Sequence, residues 1–429
     1  SAVNAALSGC PSIATPTPTR SPTPLPTPPG PTPILPTPPL PGVRAGDFDR
    51  SFGVNGVVKI DIGEGASVGV VALALRSDGK IVVAGALGGS GGGANFLALV
   101  DESGRLDPGF GDGGIAVTEG LPTPEDMAVQ PDDGIVVVAD RFFDRGGLDR
   151  GSEVVLTRYR PDGRLDTTFG DGGVVVTNVA TSTGAAAVVA QPDGGILVAG
   201  TIGEDAFFDA SLVVLRYLHD GNLDPDFGAG GFATDAGLET AFGAAMALQP
   251  EGEILVAGAT ERLHRDVRSL LFVRFTAEGE IDSSFGRNGS RIVRGPLDSD
   301  GVADLALGLD GKITATVCTA GRGCDFTLVQ LLAAGELNES FGAGGFVTVD
   351  AVDDDPSGIA AQTDGRLLAI GGGSLVRIRA DGELDDTFGG GGIVDTRIRP
   401  SAVIVQQDGR AVVASGGATL QMRRIETVP

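Results

Sequence analysis

Short apolar runs recur along the chain, each cut by an acidic residue and a glycine and then resumed. The phrase appears as LRSDGKIVVAG, VQPDDGIVVVAD, AQPDGGILVAG, LQPEGEILVAG, LGLDGKITATV, AQTDGRLLAIG and VQQDGRAVVAS. Apolar run, acidic-glycine turn, apolar run is the pattern of a β-hairpin. A third apolar run follows, as in VVLTRYRPDG (Val154–Gly163) or SLVVLRYLHDG (Ser211–Gly221), and ends in another turn. A fourth phrase then opens with a buried-type residue and carries a Phe-Gly pair. Its copies are FDRSFGVNG, LDPGFGDGG, LDTTFGDGG, LDPDFGAGG, IDSSFGRNG, LNESFGAGG and LDDTFGGGG, with Phe at 52, 110, 169, 227, 285, 341 and 388. The intervals are 58, 59, 58, 58, 56 and 47 residues.

Four short strands per period, named A to D in chain order, predict a four-stranded antiparallel propeller blade. Continuous apolar runs in A and B fit inner strands covered on both faces by neighbouring blades, and the period-2 patterns with frequent glycine exclude an α-solenoid. The first element is a lone D strand, Phe48–Asp61. The last elements are A (Ser401–Gln406), B (Arg410–Ser415) and C (Ala418–Ile425). The two incomplete ends sum to one blade. The expected fold is therefore all-β: a seven-bladed β-propeller over residues 47–429, with the N-terminal strand closing the C-terminal blade.

The phrases LDxxFGxxG and QPDGxILVAG, in register over residues 47–425, resemble the delta-60 repeat, a bacterial β-propeller family. More distantly they are similar to NHL-type propellers. The resemblance implies a propeller fold and an often extracytoplasmic setting, with no established reaction.

Composition changes the picture at the N-terminus. Residues 11–41 hold 14 of the chain's 26 prolines, so residues 11–46 read as an extended Pro/Thr-rich stalk. Leu7-Ser8-Gly9-Cys10 resembles a bacterial lipobox, so residues 1–10 read as a signal-peptide remnant with Cys10 as a lipidation site. The alternative is a free or intermolecularly paired cysteine. The net charge of −25 repels phosphate backbones and argues against nucleic acid as a partner.

Residues shared by the copies are expected to be scaffold. The Phe of each Phe-Gly pair should pack between blades. The Asp of each LD (Asp49, Asp107, Asp166, Asp224, Asp282 and Asp385, with Asn338 as variant) should tie its turn. Gln130, Gln191, Gln249, Gln362 and Gln406 form either a polar ring near a channel mouth or caps on the A–B turns. Function is sought where copies differ. Phe142 and Phe143 in blade 2, with Phe207 and Phe208 in blade 3, form a candidate partner-binding patch; the competing reading folds them back over the blade ends. Asp298, Asp300, Asp350, Asp353, Asp354 and Asp355 form acidic loops that could hold calcium, against a plain solvated surface. Cys318 and Cys324 are placed for a disulfide across a hairpin. Glu261–Ser269 is a basic loop.

Catalytic signals are lacking. His219 and His264 fall on opposite faces, and no nucleophile elbow, zinc motif or phosphate loop occurs. With no Trp and 2 Tyr, a sugar-stacking cleft is disfavoured. The expected function is a non-enzymatic protein-binding or scaffold module, without cofactor, at the bacterial envelope. The alternative is a carboxylate-based glycan hydrolase or lyase, calcium-dependent in one version.

Overall fold

The second strand of every repeat is buried on both faces and sets the architecture. In blade 1, Ile81, Val82 and Val83 expose none of their surface. A strand covered on both faces requires a sheet on each side, and a ring of sheets supplies them. A computed structural model describes residues 43–427, except 64, 89–92, 145–149, 204–209, 236–240, 262–267, 295–298, 321–323 and 351–355. Cys10, Phe207, Phe208, His264, Asp298, Asp353, Asp354 and Asp355 lie outside the described residues.

The chain forms seven four-stranded antiparallel sheets. One strand, β1 (Val58–Ile60), precedes the first blade. Blade 1 holds β2 (Ser67–Leu75), β3 (Ile81–Gly88), β4 (Ala94–Val100) and β5 (Ile115–Glu119). Blade 2 holds β6 (Pro124–Val129), β7 (Ile135–Asp144), β8 (Arg150–Tyr159) and β9 (Val174–Thr177). Blade 3 holds β10 (Ser182–Ala190), β11 (Ile196–Gly203), β12 (Ser211–Tyr217) and β13 (Phe232–Thr234). Blade 4 holds β14 (Ala241–Leu248), β15 (Ile254–Glu261), β16 (Arg268–Phe275) and β17 (Ser290–Val293). Blade 5 holds β18 (Ser299–Leu307), β19 (Ile313–Ala320), β20 (Cys324–Leu331) and β21 (Phe346–Thr348). Blade 6 holds β22 (Pro356–Ala361), β23 (Leu367–Gly371), β24 (Ser374–Ile378) and β25 (Ile393–Asp395). Blade 7 holds β26 (Ala402–Val405), β27 (Ala411–Ser415) and β28 (Leu420–Ile425), and takes β1 as its outer strand.

The ring closes as the unpaired D phrase predicts. Val58, Lys59 and Ile60 pair with Met422, Gln421 and Leu420, and Phe48 bridges Ile425. The expected strand over Phe48–Asp61 is not continuous. Between the bridge and β1 the chain turns through Gly53, Asn55 and Gly56, all at positive φ. The backbone donors there are spent on the turn and the next blade: Phe52 N–H donates to Asp49 O, and Gly53 N–H to Ser103 O of blade 1.

Hydrophobic clusters span the seams between blades. At the closing seam, Phe52 and Val58 pack with Ile81, Val83 and Phe96 of blade 1 and Val412 and Met422 of blade 7. Strand A departs from the expectation of two apolar faces. In β2 the buried positions alternate with exposed ones, because one face lines the central channel. Small side chains stand there (Ala186, Ala244, Ala303, Gly358), since seven inner strands converge on one axis.

The Phe-Gly phrase is the rivet between blades. In all seven copies the Gly amide donates to a backbone carbonyl of the next structural unit: Gly53 to Ser103, Gly111 to Asp162, Gly170 to Asp220, Gly228 to Glu278, Gly286 to Ala334, Gly342 to Asp381 and Gly389 to Ala45. Gly170 sits at φ +53°, and a Cβ there would come 2.4 Å from Val174 O. Each Phe is fully buried or nearly so. Phe110 covers the turn glycine of blade 2, where a Cβ on Gly163 would meet its ring at 2.8 Å.

The Asp of LD does tie its turn, and an arginine eight residues earlier completes the device. Asp166 Oδ1 accepts from the Thr168 hydroxyl at 2.7 Å, and its Oδ2 accepts from Arg158 Nε at 2.9 Å. Arg158 then stacks on Phe169 at 4.4 Å and donates through Nη1 to His219 O of blade 3. Arg216–Asp224, Arg274–Asp282, Arg377–Asp385 and Arg424–Asp49 repeat the pair. Blade 5 changes both partners together: Asn338 Nδ2 donates to Gln330 Oε1 at 2.6 Å. Blade 1 has Leu99 in place of the arginine, and Lys80 neutralises Asp107 at 2.8 Å. Charge is balanced in every copy, by three different solutions.

Candidate functional site

Four features break the repeat and could carry function: a long hairpin in blade 2, the central channel, the acidic loops and the cysteines.

The β7–β8 hairpin projects beyond its counterparts. Its pairing runs on to Asp144↔Arg150, with ten residues in each strand, whereas the blade 6 hairpin ends at Gly371↔Ser374 with five. Arg141 lies opposite Glu153 and binds it through Nε at 3.0 Å, a cross-strand ion pair that stiffens the projecting part. The hairpin also leans on blade 3. Ser152 N–H donates to Ser182 Oγ at 3.1 Å, and a Cβ on Gly151 would stand 2.3 Å from Thr181 O. Alternation then separates the two aromatics. Phe143 is half-buried beside Gly151, while Phe142 points outward and is 64% exposed. Among the described residues Phe142 is the one aromatic side chain left largely in solvent.

The channel encloses about 260 Å³ and is lined by the inner strands of all seven blades. Three carboxylic acids line it, Glu125 and Asp126 from β6 and Asp304 from β18, and the two aspartates stand beside strand irregularities in the inner hairpins. Each aspartate bridges two blades. Asp126 accepts from Met127 N–H at 2.7 Å and, in blade 3, from Val188 N–H at 2.9 Å. Asp304 accepts from Leu305 N–H at 2.7 Å and, in blade 6, from Ile359 N–H at 2.8 Å. Burial pushes Asp126 up to about 7 and Asp304 up to about 6. Asp304 adds to the rise of Asp126 through its charge, and burial likewise raises Glu125 and Asp140 at the same end of blade 2.

These shifts set a pH dependence. A folded-state pKa above the unfolded value of about 3.9 means that the contribution is fully present below that value and is lost as pH rises through the folded pKa. The propeller is therefore expected to lose stability between about pH 4 and about pH 7, as one to two carboxyls titrate. Asp126→Asn should flatten that slope while lowering stability at pH 5 by one hydrogen bond. Thermal melts across the pH range check this; an unchanged slope in the variant contradicts it.

The other sequence candidates are not brought together. Asp300 lies in β18 and Asp350 is exposed in the turn after β21. Among the described residues there is no group of three or more His, Cys, Asp or Glu side chains placed to hold a metal ion. His219 is exposed and serves through its carbonyl. Gln130 Nε2 donates across the seam to Gly194 O at 3.1 Å, whereas Gln249 Oε1 accepts from Arg274 within blade 4. Cys318, in β19, is disulfide-bonded, and the register sets Cys324 opposite Ala320. The sequence reading does not single out the arginines, although an Arg eight residues before the Asp of LD recurs in four copies, and Arg424 meets Asp49 through ring closure.

Residues 76–110, 191–227, 249–285 and 362–388 match a family model described as "Domain of unknown function (DUF5122) beta-propeller". The repeat matches a β-propeller family. Each matched stretch begins at the A–B turn and ends on the Phe of a Phe-Gly pair. No curated protein matches the sequence. Sqt1 from Chaetomium thermophilum is similar at TM-score 0.51 and 12% identity, over 86% of this chain and 98% of its own. A gluconolactonase from Xanthomonas campestris gives 0.39 and 12%, over 86% and 97%. PorZ, a surface component of the type-IX secretion system of Porphyromonas gingivalis, gives 0.43 and 13%, over 81% and 45%. At such identity the likeness is one of fold alone.

Proposed function

We propose that this chain is a non-enzymatic propeller that binds a protein partner at the face carrying the β7–β8 hairpin. The supporting observation is Phe142, an exposed aromatic held on a stiffened hairpin that the other blades do not share. A rigid aromatic anchor loses little entropy on binding, and such residues dominate interface energetics. The hydrolase alternative would draw on the channel carboxyls, but in two of the three, Asp126 and Asp304, both oxygens already accept backbone amides. We further propose an extracytoplasmic setting at the bacterial envelope and kinship with the delta-60 repeat proteins. The lipobox-like Cys10, the proline-rich stretch after it and a Cys318–Cys324 pairing support that reading.

Photo-crosslinking from position 142 tests the interface. A crosslinker there should capture a discrete partner in the native envelope. One at Leu309, which is 83% exposed in an A–B turn, should not. Equal capture from both positions, or none from 142, rejects the hairpin as the interface.

A further inference from the structure

Three departures from the repeat meet at one place, the outer seam between blades 6 and 7. The first is Arg423 in β28. The equivalent residues, one before the stacking position in the third strand of each blade, are Ala98, Thr157, Leu215, Val273, Val329 and Val376, all buried. Only blade 7 places a guanidinium there. The second is Phe48, which stands where the other copies have Leu106, Leu165, Leu223, Ile281, Leu337 and Leu384. The third is Arg397, in the connection after β25, which adopts φ +57° without being glycine.

These residues touch. The Arg423 guanidinium lies 4.8 Å from the Phe48 ring centre and that of Arg397 lies 5.4 Å from it. They line a cavity of about 910 Å³ with Arg50 at its edge. Among the described residues no carboxylate forms an ion pair with Arg397 or Arg423, and the buried Nε of Arg423 has no hydrogen-bond partner. Asp47, Asp49 and Glu426 line the same cavity, as does Arg410, and these carboxylates and the nearby Asp395 are engaged elsewhere. Asp49 is held by Arg424, Glu426 by Arg410, and Asp395 Oδ1 takes the Arg397 amide at 2.8 Å. Asp47 Oδ2 accepts the Arg44 amide. Residues 1–42, which lead into the cavity wall at Val43, contain no Asp or Glu. In a chain of net charge −25, two guanidinium groups thus converge on one ring with no carboxylate in an ion pair with either. Burial, and then the charge of Arg397, lower the pKa of Arg423 against the smaller opposing pull of the Asp395 carboxylate.

We propose that this cavity binds an oxyanion group, held between the Arg397 and Arg423 guanidiniums against the Phe48 ring. A guanidinium presents paired N–H donors that match two oxygens of one anion, and ring contact fixes its plane while leaving those donors free. The site is independent of the blade 2 hairpin and of the partner proposed there.

Calorimetry and thermal shift with sodium phosphate, sodium sulfate and sodium acetate, each at constant ionic strength against chloride, test it. The wild-type chain should bind at least one of the three saturably, and the tightest probe identifies the group. Arg423→Val installs the residue that three other blades use, so it should fold; it should weaken binding at least tenfold and raise the melting temperature in chloride. Arg397→Gln, on the connection outside the sheets, should weaken binding similarly. Absence of saturable binding for all three probes, or binding unchanged in both variants, overturns the proposal.

Discussion

Asp385→Asn should destabilise the propeller by about 3–5 kcal/mol, the cost of leaving a buried cation without its partner. Asp385 is 2% exposed and Arg377 is fully buried, with 2.9 Å between Oδ2 and Nε. Arg377 also stacks on Phe388 at 4.5 Å and reaches Thr427 O across the seam, so it cannot turn away to water without opening that seam. Burial raises the Asp385 pKa, but the Thr387 hydroxyl, the Arg377 charge, the Thr387 amide and Arg366 outweigh it, and the net shift is downward. The pair's contribution is therefore present above the unfolded carboxyl value and is lost as pH falls through the lowered folded value. Blade 5 shows the neutral counterpart. Adding Arg377→Gln to Asp385→Asn rebuilds the Gln330–Asn338 arrangement, and the double variant should recover roughly half of the loss. Denaturant midpoints for the two singles and the double give the coupling. Additive effects would mean that the pair is not a unit.

The second large effect concerns closure. Phe52→Ala should cost about 3–5 kcal/mol, since Phe52 is fully buried at the closing seam and Arg424 stacks on it at 4.8 Å. Removing residues 1–61 should be more severe. It strips β1 from β28 and uncovers an unpaired strand edge beside an exposed apolar seam. The shortened chain should lose its cooperative melt or self-associate on a sizing column. A monomer with wild-type melting would show that the ring does not depend on β1.

Closure and blade count were legible because the D phrase is long, distinctive and left over at one end. The tie made by Asp166 was legible from Asx-turn chemistry, but Arg158 was not. It stands across a strand and a turn, and reads as an ordinary surface residue until the carboxylate is placed beside it. Asp126 and Asp304 were hidden by strand bulges. One extra residue reverses which side chain faces the channel, so alternation alone gives no orientation there. Phe142 was legible as a departure from the repeat, and the length of its hairpin was not, because DRGG reads as loop. Arg423 was masked by its neighbour: LQMRRI contains two arginines, of which Arg424 belongs to the repeat and Arg423 does not.

Residues that recur hold the ring together, and the proposed function assigns partner contact to residues that break the recurrence. The most direct test compares partner capture from extracts of the native cells by wild-type protein, Phe142→Ser and Asp166→Asn, each at a temperature where its fold is intact. Phe142→Ser should melt like the wild type and lose the partner, while Asp166→Asn should melt earlier and keep it. Retained capture by Phe142→Ser, or equal loss by both variants, would contradict the account.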